Sequence, residues 1–327
     1  MNRGPRWIGA AMAALLIAGA SACGSSSDDH AKPAAPAKFA TGSQALAADP
    51  ATEQKNTALV RRLYDQVFTG HKLDLAPQLL RKDYIQHTPS VPWGVDGFTL
   101  FYRDTFFKAF PDVKAHLDHV ITQGNEVFTF ATWTAKKTPN GAPLNMETAD
   151  VYRVQDGLLA EHWDTIDYST LMPFGFAPPS KHEPVAPRPP LTTDKQRTAL
   201  NVFNGWLAEF IGQKRLESAP KYVSADFKQH ELGVGPGIKG LEECFRERMN
   251  VIPDLKYDIK QLVTDGKNVG IIWVFDGTSQ ITHQRFEVHT ADIYSVDDQG
   301  KLSEHWTIMD YSDLPAAGIP MPQPYKA

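Results

Sequence analysis

The amino-acid sequence predicts an α+β protein of two tandem domains, each with helices packed on one face of a curved antiparallel sheet. Three observations carry this expectation. One stretch is written twice, as Glu161-His162-Trp163-Asp164-Thr165-Ile166-Asp167-Tyr168-Ser169 and as Glu304-His305-Trp306-Thr307-Ile308-Met309-Asp310-Tyr311-Ser312. Smaller motifs recur at nearly the same offset, since His230 follows His87 by 143 positions and Pro253 follows Pro111 by 142. A period of that size is one whole small domain, too long for a solenoid repeat. In each copy, apolar residues at helical spacing come first and β-branched, aromatic runs follow, which is the order of an α+β domain.

From its start, the chain places Arg3 and Arg6 before an apolar run from Trp7 to Ala20, then Ser21-Ala22-Cys23. That is the three-part layout of a secretory signal, and the run is too short to span a bilayer. Small residues leading into a cysteine resemble the lipobox of bacterial lipoproteins, so residues 1–22 read as a signal and Cys23 as a lipidation site. The alternative is an ordinary signal cut near Ala22. The expected location is the outer face of the cell membrane or the periplasm, with a lipid anchor as the membrane contact. Residues 23–49 are rich in Ala, Pro, Ser and Lys and read as a disordered tether.

The first domain is expected over residues 50–176. Asp49-Pro50 looks like a cap and first turn, opening a helix with Leu59, Leu63 and Val67 on one face. Leu73 to Arg81 reads as a shorter helix, and Gly97 to Phe110 as another that stops at Pro111. Four strands follow, Val113 to Thr122, Val127 to Ala135, Met146 to Val154 and Leu158 to Asp167, joined at Gly124, Asn140-Gly141 and Gly157. Residues 177–192 form a proline-rich linker, 193–316 a second domain built the same way, and 317–327 a tail. Equivalent outer sheet faces in one chain suggest an intramolecular pseudo-dimer.

A chain of 327 residues with 42% hydrophobic and 22% charged residues is long enough for two cores and ordinary for a globular protein. A formal charge of -5 without a basic patch argues against nucleic acid as a partner. Besides Cys23 the sequence holds only Cys244, at helical spacing with Leu241, Phe245 and Met249, where a cysteine is an apolar filler.

Period-two alternation puts Glu161, Trp163, Thr165 and Asp167 on one face of the last strand and His162, Asp164 and Ile166 on the other. The tryptophan face has more apolar bulk and is taken as the core face. Asp167, and Asp310 in the copy, would then sit beside Trp163 and Trp306 away from water. His162 and His305 would face outward, toward an interface. A carboxylate among apolar walls has its charged form disfavoured, so its pKa rises toward values useful for proton transfer near neutrality. The competing role for Asp167 is a cap, accepting backbone N–H bonds where the strand ends. His87 and His230 follow helices on this reading, as cavity groups or as caps. Asp150 and Asp292 share a face with Tyr152 and Tyr294, either as further cavity carboxylates or as partners of a buried basic group.

The order of elements, with Gln86-His87-Thr88-Pro89, Phe110-Pro111-Asp112, Asp150-Val151-Tyr152-Arg153 and Glu161-His162-Trp163-Asp164, resembles the SnoaL-like polyketide cyclases of the nuclear transport factor 2-like superfamily. The resemblance covers both halves. Half two departs from it at Ile252, Ser295 and Thr307, where half one has Phe110, Arg153 and Asp164. It implies cone-shaped domains with an apolar cavity between helices and sheet, and an aldol-type ring closure with neither cofactor nor metal. An aspartate four residues after the tryptophan would be the acid/base, which is Asp167 here and Asp310 in the copy. Gln86 and Gln229, His87 and His230, and Tyr152 and Tyr294 would supply donors around a small apolar or carbonyl-bearing molecule.

Other motifs carry less. His116 and His119 on a strand are expected on opposite faces and so unable to share a metal. Gly233-Val234-Gly235-Pro236-Gly237 lacks a phosphate-loop ending and reads as a loop. Two functions from different classes follow: a cofactor-free cyclase or isomerase, and a non-catalytic lipoprotein that binds a small apolar ligand.

Overall fold

The computed structural model describes residues 45–178 and 188–325. The signal, Cys23 and most of the tether lie outside the described residues. Among the described residues no helix is long and apolar enough to cross a membrane.

Half one opens with α1 (Pro50–Arg62), which Asp49 caps by accepting the Thr52 N–H at 2.8 Å, and which runs into a wider π-type turn over Leu63–Phe68. A short α2 (Ala76–Leu79) leads directly into β1 (Leu80–Gln86). α3 (Gly94–Phe101) continues through a second π-type turn, Tyr102–Phe106, into α4 (Phe107–Ala109). The strands β2 (Lys114–Gln123), β3 (Glu126–Ala135), β4 (Leu144–Gln155) and β5 (Leu158–Ile166) fall within two residues of the expected bounds. Half two repeats the plan: α5 (Asp194–Trp206), α6 (Ala219–Tyr222), β6 (Val223–Gln229), α7 (Gly237–Val251), β7 (Lys256–Thr264), β8 (Asn268–Thr278), β9 (Arg285–Val296) and β10 (Leu302–Met309). Thr193 closes a capping box with Gln196 at the start of α5.

Each sheet has five strands, in the orders β1-β5-β4-β3-β2 and β6-β10-β9-β8-β7. The two domains are therefore α+β as expected, but each sheet is mixed, because β1 and β6 run parallel to β5 and β10. Sequence periodicity misses these two strands. It also places His87 and His230 after helices, whereas each follows a strand, and the His87 N–H donates to the His162 carbonyl at 3.1 Å.

Each sheet has a buried core on both faces. The concave face packs on the helices, with Leu63, Tyr64, Phe68, Phe98 and Trp133 in one core and Phe203, Trp206, Phe210 and Trp273 in the other. The outer faces pack on each other, where Phe128, Phe130, Val151 and Trp163 of half one meet Val263, Ile272, Ile293 and Ile308 of half two. The approach is close: a Cβ on Gly270 would come within 2.7 Å of the Phe128 ring. Gln123 ties three segments together, accepting the Thr264 N–H at 2.8 Å and donating through Nε2 to the Pro189 carbonyl at 2.8 Å.

Candidate functional site

The concave face of half one holds a chain of buried polar groups. β5 and β4 present His162 and Asp150 side by side, with His162 Nε2 at 2.8 Å from Asp150 Oδ1. β1 brings Gln86 alongside, its Oε1 at 2.6 Å from His162 Nδ1. The same amide oxygen accepts the Thr88 N–H at 3.3 Å, so it faces donors and Nδ1 carries a proton. Asp150 Oδ2 accepts from the Tyr64 hydroxyl and from Thr148 Oγ1, each at 2.8 Å. Thr148 in turn accepts the Trp133 indole N–H at 3.0 Å, which frees its own proton for the carboxylate. Nε2 and Oδ1 are left facing each other, the geometry of a carboxylate–imidazole pair.

Asp164 is two residues further along the same face of β5, held by the Thr88 hydroxyl at 2.5 Å. Asp150, His162 and Asp164 bring three ligand atoms within 4.8 Å of one another, a spacing that suits a cation as well as a proton relay. Four phenols surround the group. Tyr152 stacks on His162 with ring centroids 4.6 Å apart, and Tyr64, Tyr84 and Tyr102 are fully or largely buried in the same aromatic core. Burial raises all four phenols well above the ordinary value, and the Asp150 charge adds to that, so they remain O–H donors. Tyr64 and Tyr102 both lie in the π-type turns, where the wider spacing resets which residues point inward.

Half two keeps the frame and loses much of the chemistry. His305 bonds Gln229 at 2.7 Å and Asp292 at 2.6 Å, and Tyr294 stacks on it at 4.3 Å. Three of the four phenols are gone, however: Trp206 packs on Tyr294 as Tyr64 packs on Tyr152, Phe227 stands for Tyr84, and Phe245 meets Phe210 as Tyr102 meets Phe68. Thr307 replaces Asp164, and an ion pair between Arg248 and Glu231 occupies the region where half one has Phe106 and Thr88. α7 runs without the π-type turn that carries Tyr102.

The outer face corrects the reading of strand polarity. The alternation is right but the faces are exchanged: Trp163 lies in the seam between the sheets and His162 in the cone, because the bulky face packs on the other domain. Trp306 lies in the seam too. His87 and His230 stack on Trp163 and Trp306 at 4.9 and 5.1 Å, and bond Glu161 and Glu304 at 2.9 and 2.8 Å, also outside the cones. Asp167 and Asp310 sit at the seam as crossed caps. Asp167 Oδ1 accepts the Ser169 and Tyr311 N–H groups at 3.0 and 3.2 Å, and Asp310 Oδ1 accepts those of Ser312 and Tyr168 at 3.0 and 3.1 Å. Burial raises the pKa of both, that of Asp310 to about 6.

Of the expected site residues, Gln86, Asp150 and Tyr152, with Gln229, Asp292 and Tyr294, come together on the concave faces. Asp150 and Asp292 do partner a buried basic group, the facing histidine. Tyr64, Tyr84, Tyr102 and Thr88 escaped sequence reading. For His116 and His119 the reasoning also needs amending, because a bulge at Asp118 returns both to the outer side. His119 packs on Trp306 while the His116 side chain is 83% exposed. Cys244 is a half-buried helix residue whose thiol burial pushes up to about 12.

A cone of helices on a mixed five-stranded sheet, with a carboxylate–imidazole pair inside it, places each half in the nuclear transport factor 2-like class. The sequence pattern of SnoaL-like polyketide cyclases matches residues 58–173 and again 201–317, and the chain belongs to that family. Similar solved structures include TsrD from Streptomyces laurentii, 19% identical over 39% of this chain and 96% of its own, with a TM-score of 0.35. IdmH from Streptomyces antibioticus is 22% identical over 36% and 96%, with a TM-score of 0.33. A SnoaL-like polyketide cyclase from Agrobacterium tumefaciens is 17% identical over 36% and 94%, with a TM-score of 0.32. Among curated proteins none matches the chain.

Proposed function

We propose that half one is an acid/base catalyst of the cyclase or isomerase type, acting without a cofactor on a carbonyl-bearing small molecule, and that half two serves it as a partner domain. The observation that carries this reading is the contrast between the two interiors. Half one surrounds the His162–Asp150 pair with phenol donors and a second carboxylate, Asp164, whereas half two has replaced three phenols and that carboxylate. The pair would take a proton from carbon beside the carbonyl, and the phenols would hydrogen-bond the oxygen as negative charge develops on it. Asp164 would return the proton. Export as a lipoprotein belongs to the same proposal, supported by Arg3, Arg6 and the small residues before Cys23.

Deuterium uptake at the α-carbon of 2-tetralone, followed by NMR, tests the chemistry directly. Wild type is expected to accelerate exchange over buffer, His162→Gln to lose about 100-fold or more of that rate, and His305→Gln to leave it within a few-fold. If wild type does not exceed buffer, the second reading, a ligand-binding lipoprotein, takes its place.

A further inference from the structure

A cleft of about 350 Å³ opens between the two sheets, and its wall includes Asp164 of half one together with Lys260, Arg285 and His289 of half two. We propose that this cleft binds a small molecule with an apolar body and an oxyanionic group, the anion being held by Lys260 and Arg285 beside the half-one site. The apolar walls are Ile166, Ile272, Val274 and Phe286.

The backbone arranges Lys260 for this. It is the extra residue of a bulge in β7, lying between the paired positions Ile259–Trp273 and Gln261–Ile272. A bulge re-aims its side chain, and the Lys260 side chain is only 16% exposed although its carboxylate partner, Asp258 at 2.6 Å, is 61% exposed. Lys260 thus lines the cleft while its ammonium stays paired with a carboxylate at the rim. Arg285 pairs with Asp276, and His289 bonds Asp313 at 3.0 Å. Of the other acids on the wall, Asp310 is occupied by the Tyr168 and Ser312 N–H groups, and Glu287 faces the cleft from β9.

The second copy of each position supplies an internal comparison. The matching bulge in β2, between Leu117–Ala131 and His119–Phe130, carries Asp118. Measured from the repeated Thr-Ala-Asp motif, His289 corresponds to Glu147 and Arg285 to Pro143. So the wall that borders the complete site has basic residues at three positions, and the equivalent positions of half one hold two acids and a proline. Half two has in this way become part of the approach to half one, with cations placed where an anionic end of the ligand would rest as its carbonyl end enters the cone.

The proposal rests on the catalytic reading only for the role of Asp164, and its test measures binding without turnover. The probes are 8-anilinonaphthalene-1-sulfonate and N-phenyl-1-naphthylamine, which share an apolar body and differ by the sulfonate, titrated by fluorescence into the full chain. Lys260→Met and Arg285→Gln are each expected to weaken sulfonate binding about tenfold and to leave the neutral probe unchanged, with Lys260→Arg retaining wild-type affinity. Asp118→Asn is expected to change neither. Equal binding of the sulfonate probe by wild type and both variants overturns the proposal, as does an equal loss for both probes. Arg285 has a largely exposed side chain, so its variant tests the idea even if Lys260→Met fails to fold.

Discussion

Among the described residues, Glu126 is a carboxylate buried without compensation. It is fully buried on the outer face of β3, neither carboxylate oxygen has a hydrogen-bond partner, and burial raises its pKa to about 8 in spite of the nearby Arg153. The acid is raised above its unfolded value, so its contribution favours folding below about pH 4.5 and is lost as pH climbs toward 8. Half two shows the neutral solution, with Asn268 at the equivalent position accepting from the Ser295 hydroxyl at 2.7 Å. Glu126→Gln is therefore expected to flatten the fall in stability between pH 5 and 8 and to gain roughly 4 kcal/mol at pH 8, read by urea unfolding at several pH values. A variant with wild-type pH dependence would show that Glu126 is ionised in the folded protein.

At the scale of elements, the crossed caps at the ends of β5 and β10 give a sharp separation of roles. Asp167→Asn keeps the oxygen that accepts the Ser169 and Tyr311 N–H groups, whereas Asp167→Ala leaves both without their acceptor. The alanine variant is expected to lose roughly 2–4 kcal/mol of stability in calorimetry, and the asparagine variant to melt near wild type and exchange 2-tetralone at the wild-type rate. Loss of exchange in a well-folded Asp167→Asn would return the chemistry to the strand end. The four long strands of each half were legible in sequence because alternation and glycine turns agree. β1 was not, since Arg81-Lys82-Asp83 interrupts its apolar pattern and only Leu80, Tyr84 and Gln86 are buried. Face polarity was not legible either: where both sides of a sheet are buried, bulk marks a packed side without saying which neighbour packs it. The His162–Asp150 pair depends on a register between β4 and β5, which no local pattern specifies, and Tyr64 and Tyr102 point inward through π-type turns that helical spacing does not reveal.

At the largest scale, the described residues form two cones joined back to back, with one interior rich in donors and the other largely apolar around its His305–Asp292 pair. Gln123 holds the end of the linker and the edge of the opposite sheet in one set of hydrogen bonds. That arrangement frees the seam from mass action. Two separate chains meeting through such faces come apart as they are diluted, but a covalent join fixes the local concentration of each face at roughly the millimolar level, whatever the bulk amount. The melting temperature should accordingly stay constant from nanomolar to micromolar protein, measured by fluorescence. A shift with concentration would mean that a second chain takes part in holding the fold. Constancy would let each molecule act alone, so a scarce protein spread thinly through its surroundings would keep its assembled form.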